Sequence, residues 1–146
     1  MKIAIAADHG GYKLKEEIKP YIESLGHTVT DFGTYSEDSV DYPDYAAPCA
    51  RAVVSGEMDR GIVICGTGIG ISIAANKVRG VRAALCGDCY SAEMTRRHND
   101  ANILALGARV LGAGLALKIV DTFLDTGFDG GRHARRVALI GDIETR

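Results

Sequence analysis

Cys65-Gly66-Thr67-Gly68-Ile69-Gly70 sets a thiol, a hydroxyl and three glycines in one short stretch at the end of an apolar run. Glycines let successive backbone N–H groups face outward. A helix starting there would add unpaired donors and the positive end of its dipole. Such a cradle suits an anion, either a phosphate or an oxyanion formed during a reaction. The G-x-G-x-G spacing matches neither the dinucleotide G-x-G-x-x-G pattern nor the G-K-[ST] phosphate loop. No lysine closely follows the last glycine, which argues against nucleoside triphosphate hydrolysis. Beside a helix N-terminus a thiol loses its proton more readily, making Cys65 a candidate base or nucleophile. The competing reading is a buried structural cysteine.

Other reactive residues stand at comparable places. Asp8-His9-Gly10-Gly11 follows the first apolar run, and His98-Asn99-Asp100 precedes the last. Either histidine could serve as an acid or base, or sit on the surface as a dipole partner. Arg132 and Arg136 are four apart and so share a helix face, with His133 and Arg135 nearby. They form either a solvated basic face or a clamp for a phosphate dianion, which forked guanidinium donors suit. Cys86-Gly87-Asp88-Cys89 has the C-x-x-C spacing of a thiol redox motif, between a strand and a helix. No second cysteine or histidine pair lies at ligand spacing, so no metal is expected.

These residues need a scaffold. Lys2 to Ala7, Thr28 to Phe32, Gly61 to Cys65, Arg82 to Cys86 and Asn102 to Leu106 read as five strands. Their cores are mostly continuous apolar runs, as in parallel strands buried on both faces. Leu14, Ile18, Tyr21, Ile22 and Leu25 keep helical spacing before Gly26, and Ala46, Ala47, Ala50, Val53 and Val54 before Gly56. A third set, Leu115 to Leu124, precedes Gly127, and the glycine turn leads into a helical stretch from Ile71 to Lys77. A last helix is expected from Arg132 to about Glu144. Gly33 to Asp44 is the one long irregular connection. Alternating β and α elements imply a single α/β domain over residues 1–146, a Rossmann-like three-layer αβα sandwich on a five-stranded parallel sheet. Ligands in such sheets bind beyond the carboxyl ends of the strands. On that rule Asp8 to Gly11, Cys65 to Gly70, Gly87 to Cys89 and His98 to Asp100 are expected to converge on one rim.

Composition narrows the function classes. The chain has 146 residues, 47% hydrophobic and 25% charged, with a net charge of −2. That balance suits a folded domain and argues against a general nucleic-acid binder. No apolar run is long enough to span a bilayer, and the N-terminus lacks a signal-peptide pattern. A cytoplasmic location with four free thiols is therefore expected.

The segments together resemble the type B ribose-5-phosphate isomerase family, which also contains galactose-6-phosphate isomerase subunits. The matching pieces are Asp8 to Gly11, Asp41 to Ala46, Asp59 to Lys77, His98 to Val110 and Gly130 to Val137. The likeness runs essentially end to end. It implies aldose–ketose isomerisation of ribose 5-phosphate without metal or cofactor, in a homodimer or dimer of dimers with active sites at the subunit interface. By resemblance, His98 of the partner chain and Asp8 would open the sugar ring, and Cys65 would carry the proton between C2 and C1. Thr67 would shuttle a proton between O1 and O2. Gly66, Gly68, Gly70 and Asn99 would hold the cis-enediolate. His9, Arg109, Arg132 and Arg136 would bind the phosphate, and Tyr42 would line the sugar site. Some relatives use a carboxylate in the same loop; here Gly70 and Ile71 are not acidic, which leaves Cys65. The alternatives are a hexose 6-phosphate substrate (allose or galactose), a redox protein using Cys86 and Cys89, and a nucleotide-binding module.

Overall fold

The computed structural model describes residues 1–146. Five strands form one all-parallel sheet: β1 Lys2–Ala7, β2 Thr28–Asp31, β3 Arg60–Cys65, β4 Ala83–Leu85 and β5 Ile103–Gly107. Their order across the sheet is β2-β1-β3-β5-β4. The connections of β1 and β3 depart in opposite directions, so a crevice opens between the carboxyl ends of these two strands. The register sets Ala7 beside Ile64 and Cys65 beside Gly107.

Six helices cover the sheet: α1 Tyr12–Ser24, α2 Tyr42–Val54, α3 Ile69–Ala75, α4 Cys89–Asn99, α5 Ala113–Asp125 and α6 Arg132–Ile143. Leu14, Ile18 and Ile22 of α1 and Ile119, Val120 and Phe123 of α5 pack on one face, against Ile3, Ile5, Ile62, Ile64, Leu104 and Leu106. Ala46, Cys49, Ala50 and Val53 of α2 and Ile71 and Ala75 of α3 pack on the other, against Ala4, Ala6, Val63 and Ala105. The central strands β1, β3 and β5 are apolar on both faces because both faces are covered. Every fully buried isoleucine adds roughly 1.5–3 kcal/mol.

The expected elements are present, with shifted ends. β4 is shorter than Arg82 to Cys86, because Arg82 turns to bond Asn99 and Asp100. The irregular connection ends at Asp41 rather than Asp44: Tyr42 and Pro43 open α2, where proline's missing N–H costs nothing. α3 starts two residues early, at Ile69, because Gly68 already takes the left-handed turn into it.

α6 differs from the rest. It packs against α4 and buries none of its side chains, and Leu139, Ile140 and Ile143 stay exposed. An amphipathic helix with a bare apolar stripe lacks the surface that would bury it.

An ion network fixes the edge strand beside the crevice. Lys15 is fully buried, and its Nζ donates to both oxygens of Asp31 at 2.7 and 2.6 Å. Lys19 adds a bond at 2.8 Å, and the Gly33 N–H one at 2.8 Å. Burial pushes the Asp31 carboxyl up, but the hydrogen bonds from Lys15, Lys19 and Gly33 outweigh it and hold it below its ordinary 3.8. A depressed carboxylate stabilises the fold fully above its ordinary value, and that contribution fades as pH falls through the native value. Asp31→Asn, which leaves the buried Lys15 with only the half-exposed Glu16 carboxylate at 3.2 Å, is expected to cost about 3 kcal/mol in urea unfolding at pH 7. The gap between the two proteins should close as pH drops below 4; a gap independent of pH would refute the assignment.

Candidate active site

Cys65 ends β3 with 5% of its surface exposed, and its Sγ accepts the Gly68 N–H at 3.1 Å. That bond fixes the sulfur at the mouth of the glycine turn. Gly68 can turn this N–H inward because its φ is 77°, and because a Cβ there would meet the Leu106 carbonyl carbon at 2.7 Å. Only glycine satisfies both conditions. The Thr67 hydroxyl caps the turn by accepting the Ile69 N–H at 3.2 Å. Backbone bonds from Ala108 to Cys65 and from Arg109 to Gly66, both 2.9 Å, tie the turn to the chain beyond β5. They bring the Arg109 guanidinium over Gly66, where an added Cβ would meet Nη1 at 3.1 Å.

Asp8 and His9 follow β1 on the other side of the crevice. The Asp8 N–H donates to the Ile64 carbonyl at 3.1 Å, and its buried carboxylate accepts the Gly11 N–H at 3.1 Å. His9 Nδ1 accepts the Val40 N–H at 3.2 Å, which leaves Nε2 to carry the ring proton. The same bond pins the 33–41 connection over the crevice. No spacing in the sequence announced it. Tyr42 lies against Gly70: a Cβ there would meet the tyrosine hydroxyl at 3.0 Å. Tyr42 and Gly70 also line a surface cavity of about 430 Å³ together with Arg51 and Lys77. The crevice thus gathers Asp8, His9, Tyr42, Cys65, Gly66, Thr67, Gly68, Gly70 and Arg109.

His98, Asn99, Arg132 and Arg136 are elsewhere. The expectation that His98-Asn99-Asp100 shares the rim with Cys65 fails for a topological reason. α4 begins at the carboxyl edge with Cys89 and runs back 11 residues, about 16 Å, to the amino edge before β5. Arg82, which precedes β4 at that edge, donates to the carbonyls of Asn99 and Asp100. Asp100 takes the left-handed conformation (φ 47°), and its carboxylate holds Arg96 at 2.9 Å. His98 stacks on His133 of α6 with ring centroids 4.2 Å apart. Desolvation first, then His98, Arg132 and Arg136, push the His133 pKa down against the pull of Asp129. The candidate residues therefore fall into two groups at opposite edges of the sheet.

The remaining thiols lack the features of a redox pair. All four cysteines are free. Burial, and then Asp88, push Cys86 up to about 11, and burial pushes Cys49 to about 12. An attacking thiol needs the opposite shift. Cys86 instead fills the core beside Ala92 and Leu106.

Residues 3–140 match the Ribose/Galactose Isomerase family. The chain belongs to this family. Ribose-5-phosphate isomerase B of Escherichia coli is 52% identical over 145 residues, covering 99% of this chain and 97% of that one. The structure of Clostridium thermocellum ribose-5-phosphate isomerase B superposes with a TM-score of 0.98 at 63% identity, over 99% and 98% of the two chains. A third relative, D-erythrulose-4-phosphate isomerase of Pectobacterium atrosepticum, is 47% identical over 148 residues, with 99% and 95% coverage. The expected family and αβα sheet are thus both correct. The names of these relatives differ in the sugar phosphate acted on. No helix is long and apolar enough to cross a membrane.

Proposed function

We propose that this protein interconverts ribose 5-phosphate and ribulose 5-phosphate in a site shared by two copies of the chain. The observation that carries the reading is the Cys65 thiol seated in a backbone N–H cradle beside Asp8 and His9. In the open-chain aldose, Cys65 as thiolate takes the C2 proton. The C2–H pair becomes the C1–C2 double bond, and the carbonyl pair moves to O1. A proton then passes from O2 to O1 by way of Thr67, and Cys65 returns its proton to C1 as the C2 carbonyl forms. A proton next to a carbonyl is only weakly acidic, so the base works because the Gly66 to Gly70 donors stabilise the oxyanion at the same moment. No step requires a metal or an organic cofactor.

The second copy supplies His98, Asn99, Arg132 and Arg136. His98 opens the furanose ring with Asp8, Asn99 bonds the enediolate, and the two arginines join His9 and Arg109 on the phosphate. The bare apolar stripe of α6 next to these residues supports a homodimer, or a dimer of dimers, as the working unit. Remote phosphate contacts supply orientation without entering the chemistry. Arg132→Ala and Arg136→Ala are therefore expected to raise KM by about 10-fold or more with kcat changed far less, and an unchanged KM in both would refute the clamp.

Initial rates on ribose 5-phosphate, with allose 6-phosphate and galactose 6-phosphate in parallel, test the activity after EDTA treatment. Conversion of ribose 5-phosphate alone supports the reading. Preference for a hexose phosphate overturns the pentose assignment, and no turnover on any of the three overturns the activity.

A further inference from the structure

His133 has no part in the steps above, yet no other residue engages the His98 ring so closely. The two imidazoles lie face to face, centroids 4.2 Å apart and planes 8° from parallel. The chain builds this stack deliberately. Arg97, just before His98, donates from Nε to both Asp129 oxygens at 3.2 Å, and the Asp129 N–H donates to the Arg97 carbonyl at 3.0 Å. Arg96 reaches the Thr126 carbonyl at 3.2 Å. These bonds fix the turn before α6 against the end of α4, so the first turn of α6 lands on His98.

His98, Asp129 and His133 hold their ligand atoms within 4.8 Å of one another, which invites a metal reading. The ring planes argue otherwise. A metal bound to imidazole lies in the ring plane, and two near-parallel stacked rings share no such point. Asp129 is already held by Arg97, and Arg132 and Arg136 add positive charge beside His133.

We propose that His133 is a positioning residue for ring opening, holding the His98 imidazole flat so that one nitrogen meets the ring oxygen of a sugar bound by the partner chain. This rests on the role of His98 in the proposed isomerase. As the C1–O4 bond breaks, its electron pair goes to O4, which takes the His98 proton, while the O1 proton leaves to Asp8 and C1 becomes the aldehyde. A lone histidine at a helix end samples several rotamers, and only a fraction of them would aim at O4. Stacking removes the others. Desolvation first, then His98 and the arginines, disfavour a proton on His133 against the pull of Asp129.

Ribulose 5-phosphate separates ring opening from proton transfer. Its 5-hydroxyl carries the phosphate, so the ketose is acyclic, and exchange of its C1 proton in deuterated water needs Cys65 and the groups that hold the enediolate but no ring opening. With His133→Ala, kcat on ribose 5-phosphate should fall roughly 10- to 100-fold, with KM changed less than about threefold and C1 exchange on ribulose 5-phosphate kept. His133→Phe keeps a flat ring and should recover most of the lost turnover. Wild-type turnover in His133→Ala, an equal loss of turnover and exchange, or a His133→Phe no better than His133→Ala would each overturn the inference. A wild-type protein that neither exchanges the C1 proton nor converts ribose 5-phosphate would overturn the isomerase reading instead.

Discussion

Cys65→Ala is expected to lower kcat on ribose 5-phosphate by roughly 10²–10⁴-fold while sugar-phosphate binding survives. The side chain is small and its loss removes one sulfur from the crevice floor, where Sγ bonds only the Gly68 N–H. No other group within that turn can replace it: Thr67 ionises far too weakly, and the remaining residues from Gly66 to Ile71 are glycine or isoleucine. Asp8 is near, but its carboxylate is engaged by the Gly11 N–H and is assigned to the ring. The phosphate contacts lie on His9 and the arginines, so affinity measured by calorimetry with ribose 5-phosphate should stay within a few-fold. Cys65→Ser is the sharper variant. It keeps an acceptor for Gly68 and a proton to give, and it fails only because a hydroxyl is a far weaker acid than a thiol. Turnover retained by either variant would remove Cys65 from the mechanism.

Much of this was legible from residue order, and for identifiable reasons. β1, β3 and β5 are buried on both faces, so unbroken runs such as Ile62-Val63-Ile64 mark them without periodicity. β4 blurs because its flanking residue Arg82 spends its polar groups on the α4–β5 corner. α4 buries only Ala92 and Arg96, so almost no apolar spacing announces it. The crevice residues follow strand ends, so residue order alone puts them on one rim. His98 and Asn99, expected on the same rim, sit at the other edge, because residues just before a strand belong to its amino end. Bonds such as Val40 to His9 or Lys15 to Asp31 join distant segments and leave no trace in spacing. The sequence shows His133 only as a residue near two arginines; its stack needs the Arg97–Asp129 bridge to exist first.

Two inactive variants are expected to restore activity when mixed. One is Cys65→Ala, which keeps His98, Arg132 and Arg136 intact. The other joins Arg132→Ala to Arg136→Ala and keeps the crevice intact. Each alone should be nearly inactive when substrate is far below the wild-type KM. In a mixed dimer one site combines the intact crevice of one chain with the intact arginines of the other, while the second site holds both lesions. Random assortment makes half the dimers mixed with one working site in two, so roughly a quarter of wild-type activity should return. Co-expression with two different tags, or joint refolding, provides the mixture, and tandem purification isolates the mixed dimer. The topology is the ground for this expectation. α4 carries His98 to the amino edge and α6 starts there too, held by Arg97 and Asp129, while Cys65 stands at the carboxyl edge of the same sheet. No rotamer change spans the length of α4. If every mixture stays inactive, each site is built from one chain, and α6 must then leave α4 to reach its own crevice.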